Sequence, residues 1–194
     1  MKLVIIKYNA GNIQSVLYAL ERIGMEAVVT DDHDQIKTAD KVIFPGVGEA
    51  STAMHYLKAR GLDSVIKNLQ QPVLGICLGM QLMCTFSEEN DTTCLGIFDT
   101  RVKKFISKDL KIPQIGWNTV ENISEPIFKG ISNGSYCYFV HSYYALLCNE
   151  TAATTHYGVK FSSALQKNNF YGVQFHPEKS AAIGEQILSN FINL

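Results

Sequence analysis

Val73-Leu74-Gly75-Ile76-Cys77-Leu78-Gly79-Met80 is the stretch on which the fold of this chain turns. An apolar run from Val73 to Ile76 ends on a cysteine that has glycine two positions before it and two positions after it. This is the thiol form of the Gly-x-Ser-x-Gly elbow, in which a buried strand bends sharply into a helix and presents a nucleophile at the corner. The glycines answer a steric demand, because the corner residue is strained and a Cβ on either side would crowd it. The following helix, read as Met80 to about Phe86, points its positive N-terminal end at the sulfur and favours thiolate over thiol. A cysteine without that bracket reads simply as a small core hydrophobe.

Outward from the elbow, strands and helices alternate. Leu3 to Ile6 is continuously apolar, as befits a strand covered on both faces. Ile13, Val16, Leu17, Leu20 and Ile23 recur at helical spacing and Gly24 supplies the stop. Strands are expected at Ala27 to Thr30 and Val42 to Phe44, and helices at Ala50 to Ala59 and Leu62 to Leu69. This rhythm predicts an α/β fold, with an open, mostly parallel central sheet and helices on both faces. Beyond Ile97 come short strands, clearest at Tyr136 to Val140, Ala152 to His156 and Phe170 to Phe175, with a turn at Asn168-Asn169. They predict a smaller antiparallel part in the second half. Ile183, Ile187, Leu188, Phe191 and Ile192 return to a helical stripe. No repeat or linker interrupts residues 1–194, which are expected to form a single domain.

Composition narrows the function. The chain has 194 residues, 46% of them hydrophobic, enough for one well-packed core. Seventeen Lys and Arg against eighteen Asp and Glu leave a net charge of −1, which implies no polyanion-binding face and no nucleic acid. No apolar run is long enough for a membrane span, and Met1 to Ile6 is too short for a signal segment, so a cytoplasmic protein is expected. Five cysteines, Cys77, Cys84, Cys94, Cys137 and Cys148, form no C-x-x-C pair and suit a reducing compartment. His33, His55 and His156 lack ligand spacing, so neither a metal nor a cofactor is expected.

A thiol nucleophile needs an imidazole base, and the base needs a partner that fixes its tautomer. Phe175-His176-Pro177-Glu178 offers both. In an extended segment His176 and Glu178 leave the same face, and Pro177 biases His176 toward that conformation. Cys77, the loop Pro45-Gly46-Val47-Gly48 and His176 each follow a strand, where ligands bind in such sheets. The loop glycines let Gly46, Val47 or Gly48 turn an N–H toward a developing oxyanion, with the Leu78 N–H as second donor. An ordinary strand-end turn accounts for Pro-Gly equally well.

These motifs together resemble the class I (triad) glutamine amidotransferases, from Gly11-Asn12 to Lys179-Ser180. Phe44-Pro45-Gly46-Val47-Gly48, Pro113-Gln114-Ile115-Gly116-Trp117-Asn118 and Tyr138-Phe139-Val140-His141-Ser142-Tyr143 point to one branch, the glutaminase subunits of imidazole glycerol phosphate synthases. The resemblance implies a Cys77–His176–Glu178 triad that releases ammonia from glutamine. It implies that Glu89 takes the substrate α-amino group and that Ser142 and Tyr143 bind glutamine through their backbone. Gln81, one helical turn past Cys77, is a further substrate contact or a plain surface residue, and His141 is read as structural. The implied partner is a separate HisF-type (β/α)₈ cyclase, for nothing here could bind and cyclise a ribonucleotide. Trp117, placed in a Gly-Trp-Asn turn, is expected to face that partner with Asn12, Asn118, Tyr138 and Lys179. Where the family has Asp-Tyr-Gly before Gly-Asn, this chain has Lys7-Tyr8-Asn9-Ala10-Gly11-Asn12, a departure beside the expected docking region. A different acceptor (a paralogous sugar amidotransferase, or anthranilate or aminodeoxychorismate synthase) and a non-catalytic regulatory subunit remain as alternatives.

Overall fold

A computed structural model describes residues 1–8 and 12–194, so that Asn9 and its neighbours Ala10 and Gly11 lie outside the described residues. The first half runs β1 (Leu3–Ile6), α1 (Ile13–Arg22), β2 (Val28–Thr30), α2 (His33–Lys37), β3 (Lys41–Phe44), α3 (Ala50–Ala59), α4 (Leu62–Lys67), β4 (Val73–Ile76) and α5 (Leu78–Met83). The second runs β5 (Phe86–Ser87), β6 (Thr92–Thr93), β7 (Arg101–Lys104), β8 (Gln114–Val120), β9 (Ser135–His141), β10 (Tyr143–Ala145), β11 (Thr151–Tyr157), β12 (Val159–Lys167), β13 (Phe170–Val173) and α6 (Ala181–Ile192).

The main sheet has the order β2-β1-β3-β4-β13-β12-β10-β7-β5-β6, with β11 added beside β12. From β2 to β13 every pairing is parallel. The β13–β12, β12–β10 and β10–β7 pairings are antiparallel. Every residue of β1, β3, β4 and β13 is buried. Their side chains divide between two cores. Val4, Ile6, Val42, Phe44 and Val73 pack with α3, α4 and α5, whereas Leu3, Ile5, Ile43, Leu74 and Ile76 pack with α1 and α6. A strand serving two cores has no solvent side, which is why these segments read as unbroken apolar runs.

β8 and β9 form a separate antiparallel ribbon. Its pairs Ile115–Val140, Trp117–Tyr138 and Thr119–Tyr136 share one face, and Gln114–His141, Gly116–Phe139 and Asn118–Cys137 share the other. Phe139, Cys137 and His141 are buried, while Ile115, Trp117 and Tyr136 are each more than half exposed.

Several sequence expectations need correction. The elbow helix ends at Met83 rather than near Phe86, because Cys84 is extended and Phe86–Ser87 pairs with Arg101–Val102 instead. Trp117 lies mid-strand and not in a turn, since its backbone is paired in register with Tyr138. The last sheet strand stops at Val173 rather than Phe175. α2, β7 and the nine-residue β12 were not foreseen; Ser, Lys and Gln blur the alternation along β12. Among the described residues no helix is long and apolar enough to cross a membrane.

Candidate active site

Cys77 stands at the corner between β4 and α5 with φ 53° and ψ −108°, a conformation that costs non-glycine residues roughly 1–3 kcal/mol. Its N–H is held by the Val173 carbonyl at 2.8 Å and its carbonyl by the Gln81 N–H at 3.1 Å. The bracketing glycines permit the close approach of α5. A Cβ on Gly75 would lie 2.9 Å from the Met80 amide nitrogen, and one on Gly79 would overlap the Phe44 carbonyl at the end of β3. The loop after β3 is therefore seated against the first turn of α5. Within it Gly48 has φ +114°, the kind of backbone that favours glycine. Leu78 N–H, the expected oxyanion donor, rests on the Gly46 carbonyl at 3.3 Å.

His176 and Glu178 meet as the sequence suggested, but through different backbone. Pro177–Lys179 is a 3₁₀ turn with His176 extended just before it, so the pairing arises from a tight turn rather than a strand face. The imidazole Nδ1 lies 2.8 Å from Glu178 Oε1, and both side chains are almost wholly buried. A carboxylate on Nδ1 places the proton there and leaves Nε2 free for chemistry. Burial by itself would depress the His176 pKa, but the adjacent Cys77 sulfur and the Glu178 carboxylate outweigh it and raise it above the ordinary imidazole value. Glu178 Oε1 also accepts from Asn12 Nδ2 at 2.8 Å, while Oε2 is buried with no partner among the described residues. Asn12, expected at a partner surface, thus holds the Glu178 carboxylate from a remote segment of the chain.

A cavity of about 490 Å³ opens over Cys77 and His176, within the size range of small-ligand sites. Of the residues singled out in the sequence, Val47, Gly48, Leu78, Gln81, Glu89, Ser142, Tyr143, Asn12 and Lys179 reach it. Gly46 and Glu178 lie just behind. Trp117, Asn118 and Tyr138 do not line it; they stand on the ribbon, where the Trp117 and Tyr138 rings meet edge to face at 5.8 Å. Glu89 accepts from the Ala50 N–H at 2.7 Å, so it is fixed to the start of α3. Its pKa is raised by burial, against the pull of that N–H. Gln81 is buried, not a surface residue, and its amide is engaged within the protein. The Ser142 carbonyl is engaged by Phe105 N–H and the Tyr143 carbonyl by Gln81 and His141. His141 is buried between that carbonyl and Gln114, and burial lowers its pKa to about 4, so it stays neutral and structural at pH 7. Among the described residues no trio of His, Cys, Asp or Glu could hold a metal ion.

Three contributors escaped sequence reasoning. Tyr8 donates its buried hydroxyl to the Pro45 carbonyl at 2.6 Å and so supports the loop after β3. Gln174 and the Val140 carbonyl both touch the Cys77 sulfur. Only Gln174 carried a signal, as a polar residue in an otherwise apolar strand exit.

Residues 4–194 match the family model for glutamine amidotransferase class-I. The chain belongs to the class-I glutamine amidotransferases. Within this family it is 59% identical to the imidazole glycerol phosphate synthase subunit HisH of Bacteroides fragilis, over the full length of both chains. It is 56% identical to the HisH subunit of Bacteroides thetaiotaomicron, again over both full lengths. To that of Shewanella sediminis it is 50% identical, covering 98% of this chain and 90% of that one. Among solved structures, a putative GMP synthase subunit from Thermoplasma acidophilum superposes with a TM-score of 0.77 at 21% identity, covering all of this chain and 93% of the other. That likeness speaks for the amidotransferase fold alone.

Proposed function

We propose that this chain is the glutaminase subunit of an imidazole glycerol phosphate synthase, hydrolysing glutamine to glutamate and ammonia for a HisF-type (β/α)₈ cyclase. The observation that carries the chemistry is the strained Cys77 elbow facing an imidazole whose other nitrogen is bonded to Glu178. Full-length identity to chains named HisH supports this acceptor over sugar or chorismate-derived ones. The intact triad argues against a non-catalytic regulatory subunit.

In this mechanism Cys77 passes its proton to His176 and, as thiolate, attacks the side-chain amide carbon of glutamine. The developing oxyanion is taken by Leu78 N–H, released from the Gly46 carbonyl, and by an N–H of the Gly46–Val47–Gly48 loop. Protonated His176 gives its proton to the departing ammonia, leaving a thioester on Cys77. Neutral His176 then takes a proton from water, whose attack releases glutamate and restores the thiol. Glu178 keeps the imidazole oriented and stabilises its charged form. Glu89 suits an α-ammonium, and the Ser142–Tyr143 segment the rest of the amino acid. The exposed aromatic face of the ribbon, with Lys179 and Asn118 nearby, is the surface offered to the cyclase in a heterodimer. Five free thiols agree with a cytoplasmic site of action.

The experiment is Cys77→Ala assayed with the cyclase. Glutamine-dependent synthesis is expected to vanish while synthesis from added ammonia persists; retention of the first, or loss of both, would remove Cys77 from its role.

A further inference from the structure

Gln174, wholly buried two residues before His176, touches the nucleophile yet has no place in the triad. Its Nε2 donates to Cys77 Sγ at 3.6 Å, and its Oε1 accepts from Gln81 Nε2 at 2.8 Å. The same Gln81 nitrogen donates its other hydrogen to the Tyr143 carbonyl at 2.9 Å. The backbone N–H of Gln174 is fixed on the Ser163 carbonyl at 2.9 Å.

This chain of contacts has only one consistent polarity. A backbone carbonyl can only accept, so the Gln81 side chain must turn its NH₂ toward Tyr143. That same NH₂ faces Gln174, which must therefore answer with its oxygen. Once its oxygen is committed, Gln174 presents its NH₂ to the sulfur. The orientation of the last amide is thus dictated by a main-chain carbonyl two side chains away. Across the sulfur stands the Val140 carbonyl at 3.8 Å, a partner that suits a thiol S–H and repels a thiolate.

We propose that Gln174 is a positioning residue for the nucleophile: its N–H holds Cys77 Sγ at rest and stays as donor when the sulfur becomes anionic, while Gln81 keeps that amide from turning over. The inference rests on Cys77 being the nucleophile of glutamine hydrolysis. When the Sγ–H proton passes to His176 Nε2, the Val140 carbonyl loses its bond, whereas the Gln174 N–H gains a charge-assisted one. The chain of amides also begins at Tyr143, in the cavity wall expected to receive substrate. A shift of that carbonyl on substrate binding would reach the sulfur through three hydrogen bonds.

The test uses the chain in complex with its cyclase and two variants, Gln174→Met, which keeps the volume and removes the donor, and Gln81→Met, which frees Gln174 to turn. Two readouts are followed: steady-state kcat and KM for glutamine, and the pH profile of Cys77 alkylation by iodoacetamide. Gln174→Met is expected to lower kcat about tenfold with KM changed by less than about twofold. Its alkylation profile moves to higher pH. Gln81→Met moves the alkylation profile the same way by a smaller amount. An alkylation profile coincident with wild type in either variant overturns the proposal, even where kcat falls, since packing damage alone leaves that profile in place. Should Gln174→Met fail to fold, Gln81→Met decides. Failure of the underlying reading looks different: a glutamine-mimicking electrophile would not label wild-type Cys77, and Cys77→Ala would still turn over glutamine.

Discussion

Along β4 every side chain is buried, whereas along β8 and β9 burial alternates from one residue to the next. Both regions are rich in apolar and aromatic residues, and both end beside Cys77. In the parallel half each strand is clamped between two cores, so the position of its last residue is over-determined and a strained corner can be held there. The ribbon has one dry face and one that is left open, with Ile115, Trp117 and Tyr136 in solvent. That open face is the surface proposed above for the partner. The parallel half thus fixes the Cys77 corner, and the ribbon carries the face proposed for the partner.

The largest effects should come from breaking the site at the tip of the parallel half. His176→Ala should lower glutaminase kcat by about 10³-fold or more, and Glu178→Gln should retain more activity than that, because it removes orientation and charge but leaves the base. Measured kcat values in the reverse order would undo the assigned roles. Next comes Gly79→Ala, whose Cβ would overlap the Phe44 carbonyl. It should cost about 4 kcal/mol or more, read by urea unfolding, since neither β3 nor α5 can withdraw from a two-sided core. Wild-type stability would mean that this half is looser than the burial pattern says. On the ribbon the balance should invert. Trp117→Ala should leave unfolding free energy within about 0.5 kcal/mol yet weaken cyclase binding by about 2 kcal/mol, seen by titration calorimetry.

The smallest effect at neutral pH belongs to the ribbon's dry face. His141 has its folded pKa lowered from 6.5 to about 4, so the unfolded chain binds the extra proton first as pH falls. Its stabilisation is complete above pH 6.5 and is lost progressively between 6.5 and 4. His141→Gln should change stability by only about 1 kcal/mol at pH 7 but flatten the loss across that acid window. An unaltered acid limb would place the titration elsewhere.

The elbow was legible because its constraint is local: a nucleophile bracketed by two glycines declares a corner that side chains at the bracketing positions would crowd. The His176–Glu178 contact was legible for a similar reason, although the backbone that joins the two residues is a 3₁₀ turn and not the strand the spacing implied. Trp117 was misplaced because Gly-Trp-Asn has turn composition, and only pairing with β9 makes it a strand. Tyr8 and Val140 were illegible and Gln174 showed only its polarity, for each acts on a group supplied by a remote segment. Sequence periodicity reports which face a side chain takes, and says nothing of which distant carbonyl it will meet.

The insertion of β13 between β4 and β12 also orders events in time. Chains emerge and begin to fold from their N-terminal side. β4 and Cys77 are therefore made well before Val173, whose carbonyl holds the Cys77 N–H, and before His176 and Glu178. Until those late residues arrive, the β4 edge stands open and the sulfur has neither base nor fixed corner. A half-made chain cannot waste glutamine. The same delay leaves an apolar edge exposed for much of synthesis, a hazard that the finished enzyme no longer shows.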